Sequence, residues 1–253
     1  MEEYKLKLKG TFLENYKIEE VIWHGGTSTI YKGISQNSDF QKVVAIKVLH
    51  PHRNLANQIN AFKKEFKILK NLSHPNIIKV YKFGRVDKIY YIIMEYIEGK
   101  GLRNILNEVA EIFPHTLLKI LIQVGEAIEY IHSKKIVHND IKPENILISK
   151  NFLDLKIIDF GYAEKLSFLK RKINYTGGTE KYIAPERKKG IISFKTDIYS
   201  YGVMIEESLL KYDLIKEIYP VILLSKSENP EKRPTLKEII KKLKEIYENW
   251  NNK

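Results

Sequence analysis

The stretch His-Asn-Asp-Ile-Lys-Pro-Glu-Asn at positions 138–145 decides how this chain is interpreted. It places a carboxylate, an ammonium group and a carboxamide at fixed offsets on one short loop. Asp140 can accept the proton of an attacking hydroxyl, Lys142 can neutralise charge on a moving phosphoryl group, and Asn145 can hold a magnesium ion. Three such side chains on one loop indicate the chemistry of phosphoryl transfer.

Two later motifs fit the same chemistry. Asp159-Phe160-Gly161 follows fourteen residues after Asn145, and its aspartate is a second acidic side chain suited to a metal ion. Ala184-Pro185-Glu186 comes further along the chain. Each motif alone is common at strand ends and turns, but the three in this order are specific. On these residues the chain resembles the eukaryotic-type (Hanks-type) protein serine/threonine kinases. It departs from their catalytic-loop pattern at Asn139, where arginine is usual.

The resemblance implies an α+β fold of the bilobal protein-kinase type, with a small β-rich N-lobe and a larger, mainly helical C-lobe. The whole chain, residues 1–253, is then a single kinase domain. Residues 1–97 form the N-lobe with an extra N-terminal strand or arm, and residues 98–253 form the C-lobe. The C-lobe is shortened between Leu210 and Asn229, where most members of the family carry a helix and long loops.

Hydrophobic periodicity predicts the elements of both lobes. Alternating and apolar runs predict strands over residues 4–9, 16–23, 29–34, 43–49, 78–83, 89–94, 146–148 and 155–158. Apolar residues at helical spacing predict helices over residues 59–71, 116–133, 197–210 and 235–250. Thr235 and Glu238 are spaced as an N-terminal capping box for the last of these helices.

The resemblance also implies how ATP is bound. Lys47 is expected to contact the α- and β-phosphates, and Glu65 to orient it through an ion pair. Asp159 and Asn145 are expected to hold Mg²⁺, with Mn²⁺ as an alternative. The residues expected to contact the nucleotide are Ile22, Gly25, Ile30, Ala45, Lys47, Met94, Glu95, Ile97 and Leu147.

The loop expected to cover the phosphates departs from the glycine-rich pattern of the family. Trp23 stands at the first glycine position and Ser28 at the third, so that only Gly25 matches. Glycine lets backbone N–H groups approach phosphate oxygens without a Cβ in the way. We therefore expect this loop to be stiffer than usual and ATP to bind more weakly than in kinases with the full set of glycines.

Four contacts are expected to support the site. They are the contacts of Thr179 with Asp140 and Lys142, of Glu186 with Arg233, of Asp197 with the backbone of the catalytic loop, and of His138 with Phe160.

Composition limits the classes of protein to which the chain could belong. With 43% hydrophobic and 29% charged residues, the sequence is typical of a globular protein. No apolar run approaches the roughly 20 residues of a membrane helix, and the N-terminus lacks an apolar signal core. A cytoplasmic location is therefore expected. Because the sequence contains no cysteine, disulfides, thiolate metal sites and cysteine nucleophiles are excluded.

The net charge of +12 allows two interpretations. It indicates acidic partners, or it reflects lysines dispersed over solvated faces. The lysines occur in scattered pairs rather than in one basic block, which favours dispersal. The expected partners are protein substrates, with acidic ones favoured by the charge, and neither a specific nucleic acid nor a membrane span is expected.

Three functions remain open at this point. The leading hypothesis is an ATP- and magnesium-dependent protein serine/threonine kinase. The second is a pseudokinase that acts as a scaffold or binding module, which Trp23 and Ser28 favour. The third is a kinase of small molecules built on a related fold. The Ala-Pro-Glu motif and the Arg233 motif argue against the third.

Activity is expected not to require phosphorylation of the activation segment, although autophosphorylation there is compatible with this expectation. The alternative is that another basic residue substitutes for the arginine that is usual before the catalytic aspartate. The arginine that usually precedes the catalytic aspartate grips a phosphate on the activation segment, whereas Asn139 is uncharged. The candidate phosphosites in that segment are Ser167, Tyr175 and Thr176. The nearby cations are Lys165, Lys170, Arg171 and Lys172, which are expected to belong to the mobile loop itself and to anchor a phosphate poorly.

Overall fold

The computed structural model describes residues 8–36, 42–50, 55–108, 112–152, 154–167 and 179–251. The chain divides into two compact units. The first, the β-rich unit, consists of Met1–Ser73 and Ile78–Glu98. The second, the helical unit, consists of His74–Ile77 and Gly99–Lys253.

The β-rich unit contains a six-stranded antiparallel sheet in the order β1-β2-β3-β4-β6-β5. Its strands are β1 (Phe12–Leu13), β2 (Tyr16–His24), β3 (Ser28–Ser35), β4 (Val43–Leu49), β5 (Val80–Val86) and β6 (Ile89–Glu95). One helix, α1 (Leu55–Lys70), lies between β4 and β5 in the chain.

The apolar sequence of β4 explains its place in the middle of this sheet. Its run Val-Val-Ala-Ile-Lys-Val-Leu pairs with β3 on one side and β6 on the other, and Val44–Leu49 are all buried. Near-continuous apolar runs are typical of strands covered on both faces. Phe62 and Phe66 of α1 pack against Phe83 of β5, with ring centroids 6.1 and 5.9 Å away. The helix therefore docks through the apolar face that its sequence predicts.

The helical unit is built around a long buried helix. Its helices are α2 (Leu102–Glu108), α3 (Pro114–Ser133), α4 (Pro185–Lys188), α5 (Phe194–Leu209), α6 (Ile215–Ser225) and α7 (Leu236–Asn251). Its strands are β7 (Gly99–Gly101), β8 (Ile136–Val137), β9 (Ile146–Ser149), β10 (Leu155–Ile157) and β11 (Glu164–Lys165). α3 packs against α5 and α7, and half of its residues are buried. It also packs against β8, which directly precedes the loop at residues 138–145.

The predicted α+β class is confirmed, with a β-sheet unit followed by a mainly helical one. Every predicted strand from residue 16 onward and every predicted helix has a counterpart in the structure, with ends that differ by up to four residues. The predicted capping box is confirmed, because Thr235 and Glu238 exchange side-chain-to-backbone hydrogen bonds.

Three parts of the prediction differ from the structure. Residues 4–7 lie outside the described residues, and Leu8 and Lys9 form no strand, because Thr11 donates to the Leu8 carbonyl in a tight turn. Helices α2 and α4 and strands β1, β7, β8 and β11 were not predicted, since such short elements carry little periodic signal. Helix α6 was also not predicted. It occupies the stretch described as shortened, and Pro220 within it hides the helical pattern.

Among the helices in the described ranges, none combines the length and the apolar character that crossing a membrane requires.

Candidate active site

One buried carboxylate fixes the backbone of the catalytic loop. The side chain of Asp197, in the first turn of α5, accepts hydrogen bonds from the backbone N–H groups of His138 and Asn139, both at 2.8 Å. Its Oδ2 also lies 2.8 Å from Nε2 of His132, on α3. The predicted role of Asp197 as a brace for this loop is confirmed. No pattern in the sequence pointed to His132.

Electrostatics keep this brace charged. Burial alone would raise the pKa of Asp197, but the hydrogen bond from His132 and the donors of the loop hold the pKa below its ordinary value. Burial lowers the pKa of His138, which favours its neutral form. The predicted packing of His138 on Phe160 is confirmed, with ring centroids 4.5 Å apart in an edge-to-face arrangement.

The three side chains predicted for phosphoryl transfer meet at Asp140. The Asn145 amide donates to both the backbone oxygen and Oδ2 of Asp140, each at 2.8 Å. The Lys142 ammonium lies 2.9 Å from Asp140 Oδ2 and donates to the Thr179 hydroxyl at 3.1 Å. Thr179 therefore reaches Asp140 through Lys142 rather than directly. A carboxylate, an ammonium group and a hydroxyl thus lie within one hydrogen-bonded group.

The two predicted metal ligands lie at the same end of a hairpin. Asn145 directly precedes β9 and Asp159 follows β10, and Ile146 pairs with Ile157 across these strands. The Ile158 N–H also donates to the Asn145 carbonyl at 2.9 Å. In both ligands the donor atoms are oxygens, which a hard cation prefers. Within the described ranges, no group of three or more His, Cys, Asp or Glu side chains is placed so that it could hold a metal ion.

Lys47 and Glu65 form a buried ion pair in the β-rich unit. The Lys47 ammonium donates to both carboxylate oxygens of Glu65, at 2.7 and 2.9 Å. Lys47 lies on β4, and Glu65 lies on the buried face of α1. Both side chains are nearly inaccessible to solvent, so this pair holds the lysine in a defined direction.

The other predicted nucleotide residues are distributed as follows. Ile22 and Ile30 lie on β2 and β3, Ala45 pairs with Met94 across β4 and β6, and Glu95 ends β6. Ile97 follows Glu95, and Leu147 lies on β9 in the helical unit.

The loop that carries Gly25 is closed by local contacts. The Trp23 ring lies directly on Gly25, and a Cβ at Gly25 would stand 1.9 Å from Cη2 of Trp23. The Gly25 N–H donates to the Ser28 carbonyl at 2.9 Å. Trp23 is half exposed. The glycine is therefore required by the indole ring of its own loop.

A polar chain ties the end of this loop to β4. The Thr29 hydroxyl lies 3.0 Å from His24 Nδ1 and 2.7 Å from His50 Nε2. His50 directly follows β4, and it is buried together with Thr29. No spacing signal in the sequence links these three residues.

A second buried ion pair lies deep in the helical unit. Arg233 donates to both carboxylate oxygens of Glu186, at 2.7 and 2.8 Å, and its guanidinium is fully buried. The predicted pair is confirmed. It ties the segment after Thr179 to the region before α7, because Glu186 lies on α4.

Asn139, which stands where arginine is usual in the family, makes a neutral contact of its own. Its backbone is in the left-handed region, with φ of 64°, which asparagine tolerates better than most residues. Its amide donates to the Tyr162 carbonyl at 3.1 Å. Lys165, expected in a mobile loop, lies instead on β11, which pairs with β8. Tyr175, Thr176, Lys170, Arg171 and Lys172 lie outside the described residues.

The grouping of Asp140, Lys142 and Asn145 is compatible with the phosphotransferase site that the sequence predicted, and comparison with known proteins identifies the family. The protein kinase domain profile matches residues 16–249, and the chain belongs to this family.

Three relatives show how far the similarity extends. The chain is 37% identical over 199 residues to the serine/threonine-protein kinase PrkC of Bacillus subtilis, covering 77% of this chain and 30% of that protein. It is 35% identical over 202 residues to a protein of Clostridium perfringens named a probable serine/threonine-protein kinase, covering 78% and 29%. It is 31% identical over 207 residues to the serine/threonine-protein kinase PknB of Mycolicibacterium smegmatis, covering 78% and 32%. The matched region is thus about a third of the length of these relatives.

Proposed function

We propose that this chain is an active protein serine/threonine kinase domain that transfers the γ-phosphoryl group of ATP to serine or threonine hydroxyls of proteins. One observation carries the proposal. Asp140, Lys142 and Asn145 share one hydrogen-bonded group, and Thr179 attaches the start of the next described segment to it. The relatives named as serine/threonine-protein kinases support it.

The residues suggest a simple course for the reaction. The acceptor hydroxyl oxygen forms a bond to the γ-phosphorus, and the bond from that phosphorus to the β–γ bridging oxygen breaks, releasing ADP. Asp140 accepts the hydroxyl proton, and Lys142 offsets the negative charge on the moving phosphoryl group. Mg²⁺ neutralises the phosphates when bound, with Asn145 and Asp159 as its proposed protein ligands and Mn²⁺ as an alternative.

Lys47 is proposed to contact the α- and β-phosphates in the orientation that Glu65 imposes. Its ammonium is already held by two hydrogen bonds, so little side-chain freedom remains to be lost when ATP binds. The adenine contacts are proposed for the side chains of Ile22, Ile30, Ala45, Met94 and Leu147 and for the backbone of Glu95 and Ile97. Gly25 is proposed to lie over the phosphates.

The partners and the location are proposed on more general grounds. The net charge of +12 favours acidic protein substrates through long-range attraction. Because ATP is the proposed phosphoryl donor, we propose a cytoplasmic location for this domain. The activity and substrates of the whole protein belong to this proposal, because the chain matches only about a third of its longer relatives.

A pseudokinase is the second candidate, and one observation favours it. The Trp23 ring lies on Gly25, so the indole partly blocks the space beside the backbone that is expected to approach the phosphates. A binding module of this kind would keep the fold and lose phosphoryl transfer.

A radiolabelled assay decides between the two. The wild type and Asp140→Ala are incubated with γ-labelled ATP, Mg²⁺ and a generic protein substrate, and labelled phosphoserine and phosphothreonine are counted. We expect transfer by the wild type and at least about 100-fold less by the variant, the lower range for losing a positioned base. Absence of transfer by a folded wild type would favour the pseudokinase.

A further inference from the structure

Arg103 forms the densest polar cluster near the catalytic loop, and no motif of the sequence pointed to it. The second residue of α2, it directs its guanidinium at two carboxylates. Its Nε donates to Glu144 at 2.9 Å, and its two terminal nitrogens donate to Glu207 at 2.6 and 3.1 Å. The contact with Glu207 is the bidentate fork that arginine makes with a carboxylate.

Two more side chains complete this cluster. The Tyr182 hydroxyl donates to Glu207 and accepts from Arg103, and the Lys181 ammonium lies 2.9 Å from Glu207. Burial would raise the pKa of Glu207, but the donors from Arg103, Tyr182 and Lys181 lower it to about 2. The Glu207 carboxylate is therefore charged at neutral pH, and the cations of Arg103 and Lys181 lie beside it.

The cluster lies where an acceptor protein must pass. Glu144 belongs to the catalytic loop, four residues after Asp140. Lys181 and Tyr182 follow Thr179, which is hydrogen-bonded to Lys142. The residues that flank an acceptor serine at Asp140 would thus meet the surface around Arg103.

We infer that Arg103 fills, from within the chain, a two-carboxylate site that an arginine or lysine of the acceptor protein would otherwise occupy. This makes the kinase indifferent to basic residues around the acceptor serine or threonine. The inference rests on the proposed function and adds a specificity-determining residue to it.

Partial exposure makes the site available once Arg103 is shortened. The side chains of Arg103 and Glu207 are 22% and 20% exposed, and that of Glu144 is 40% exposed. A guanidinium from a peptide can therefore reach both carboxylates from solvent. A fully buried pair would collapse or change protonation instead.

The test is a peptide series with one acceptor serine in which each flanking position in turn is Ala, Arg or Glu. It is phosphorylated by the wild type and by Arg103→Met, which keeps the aliphatic stem and loses the charge. For the wild type, we expect kcat/KM of Arg and Ala peptides to agree within about threefold at every position. For Arg103→Met, we expect an Arg preference of about tenfold at one position or more, the effect of about 1.4 kcal/mol.

Two matched variants separate specificity from structure. Arg103→Lys keeps the cation and should show no new Arg preference. Arg103→Met/Glu207→Gln should lose the preference that Arg103→Met gains. Arg103→Gln is run in parallel as a second neutral variant, in case Arg103→Met does not fold by circular dichroism. If the neutral variants change kcat/KM equally for Arg and Ala peptides, Arg103 is only structural and the inference is wrong.

Failure of the inference and failure of the proposed function give different results. If the wild type phosphorylates no peptide or protein, the proposed function fails. Fluorescence anisotropy with labelled Arg and Ala peptides then still tests the site. Tighter binding of the Arg peptide by Arg103→Met than by the wild type supports it, and equal binding overturns it.

Discussion

The catalytic loop at residues 138–145 and the glycine loop at residues 23–29 hold their shapes by different means. The catalytic loop is buried except at Lys142 and Glu144, and a carboxylate from α5 binds its backbone. The glycine loop is largely exposed, and most of its contacts are local, with an indole on a neighbouring glycine and a threonine between two histidines. Distant elements support one loop, and the other largely supports itself.

The difference explains how each loop tolerates its departure from the family pattern. Asp197 binds the backbone of Asn139, so this brace does not depend on which side chain stands there. In the glycine loop the substituted side chain is itself the contact, because Trp23 packs on Gly25. A substitution in the catalytic loop should therefore act through chemistry, whereas one in the glycine loop should act through local shape.

The largest effect should come from Asp140, where the comparison predicts a loss of chemistry alone. Asp140→Asn should lower kcat by about 10²–10⁴-fold, the range for losing a positioned base. Because Asn145 can still donate to the oxygen of the new side chain, the loop should keep its shape. ATP affinity, measured by calorimetry with Mg²⁺, should therefore remain nearly unchanged. Asp159→Ala should do the opposite and abolish productive binding of Mg-ATP, since a proposed metal ligand is removed. Wild-type turnover by Asp140→Asn would contradict the assignment of the base.

Removing the brace should cost stability as well as rate. Asp197→Ala leaves the N–H groups of His138 and Asn139 buried without an acceptor, at about 1–3 kcal/mol each. We expect the free energy of unfolding, measured with urea at pH 7, to fall by about 2–6 kcal/mol. Asp213→Ala is the matched control, because this aspartate forms only an exposed pair with Lys216 and should change little.

The pH dependence of the free energy of unfolding tests whether the Asp197 carboxylate stabilises the fold in its charged form. The pKa of Asp197 is lower in the folded chain than its ordinary value of 3.8, so the unfolded chain binds the proton more readily. Its contribution is fully present above pH 3.8 and is lost as the pH falls through the lower folded value. The stability gap between wild type and Asp197→Ala should therefore shrink only below about pH 4. A gap that closes already between pH 7 and 5 would implicate another group.

Residues that lie close together in the sequence could be predicted, whereas residues that meet only in the folded chain could not. Spacing along the chain predicted Asp140, Lys142, Asn145 and Asp159 as site residues, and the structure brings the first three into one hydrogen-bonded group. It did not reveal Arg103, whose partners lie 41 to 104 residues away and are ordinary surface residue types.

The glycine loop shows another limit of the sequence. The motif pattern identified Trp23 as a departure, but the stacking of its ring on Gly25 depends on a side-chain rotamer that no periodicity encodes. The sequence also missed the short strands β1, β7, β8 and β11, the short helices α2 and α4, and helix α6, which contains proline. The short elements carry too few periodic positions, and proline obscures the helical pattern of α6.

A double-mutant cycle tests whether the glycine loop is indeed self-supporting. Gly25→Ala places a methyl group against the Trp23 ring, so the loop must shift and ATP affinity should fall by about tenfold, or 1.4 kcal/mol. In a Trp23→Gly background the same change should cost clearly less, because the clash is gone. Trp23→Gly alone should change KM for ATP more than KM for protein substrate. Nucleotide affinity is measured by calorimetry.

Gly26→Ala is the matched control for this cycle. No atom lies within 4 Å of a Cβ at Gly26, so the change should leave ATP affinity unaltered in both backgrounds. Additive effects of Gly25→Ala and Trp23→Gly would show that the indole does not determine the shape of this loop.

The smallest effect on the rate is expected from phosphorylation of the activation segment. This prediction depends on Asn139 of the catalytic loop. The Asn139 amide binds the Tyr162 carbonyl, and β11 pairs with β8, so two neutral contacts already hold the start of this segment without a phosphate. Phosphatase-treated enzyme and Ser167→Ala/Thr176→Ala should therefore retain initial rates within about tenfold of untreated wild type, less than 1.4 kcal/mol of barrier. Asn139→Ala, which removes one of these contacts, should lower the rate more than the double variant does.

A loss of more than about tenfold on phosphatase treatment would contradict this prediction. It would mean that a basic residue other than the usual arginine binds the phosphate. Lys165, fixed on β11 two residues from Ser167, would then be the first cation to replace.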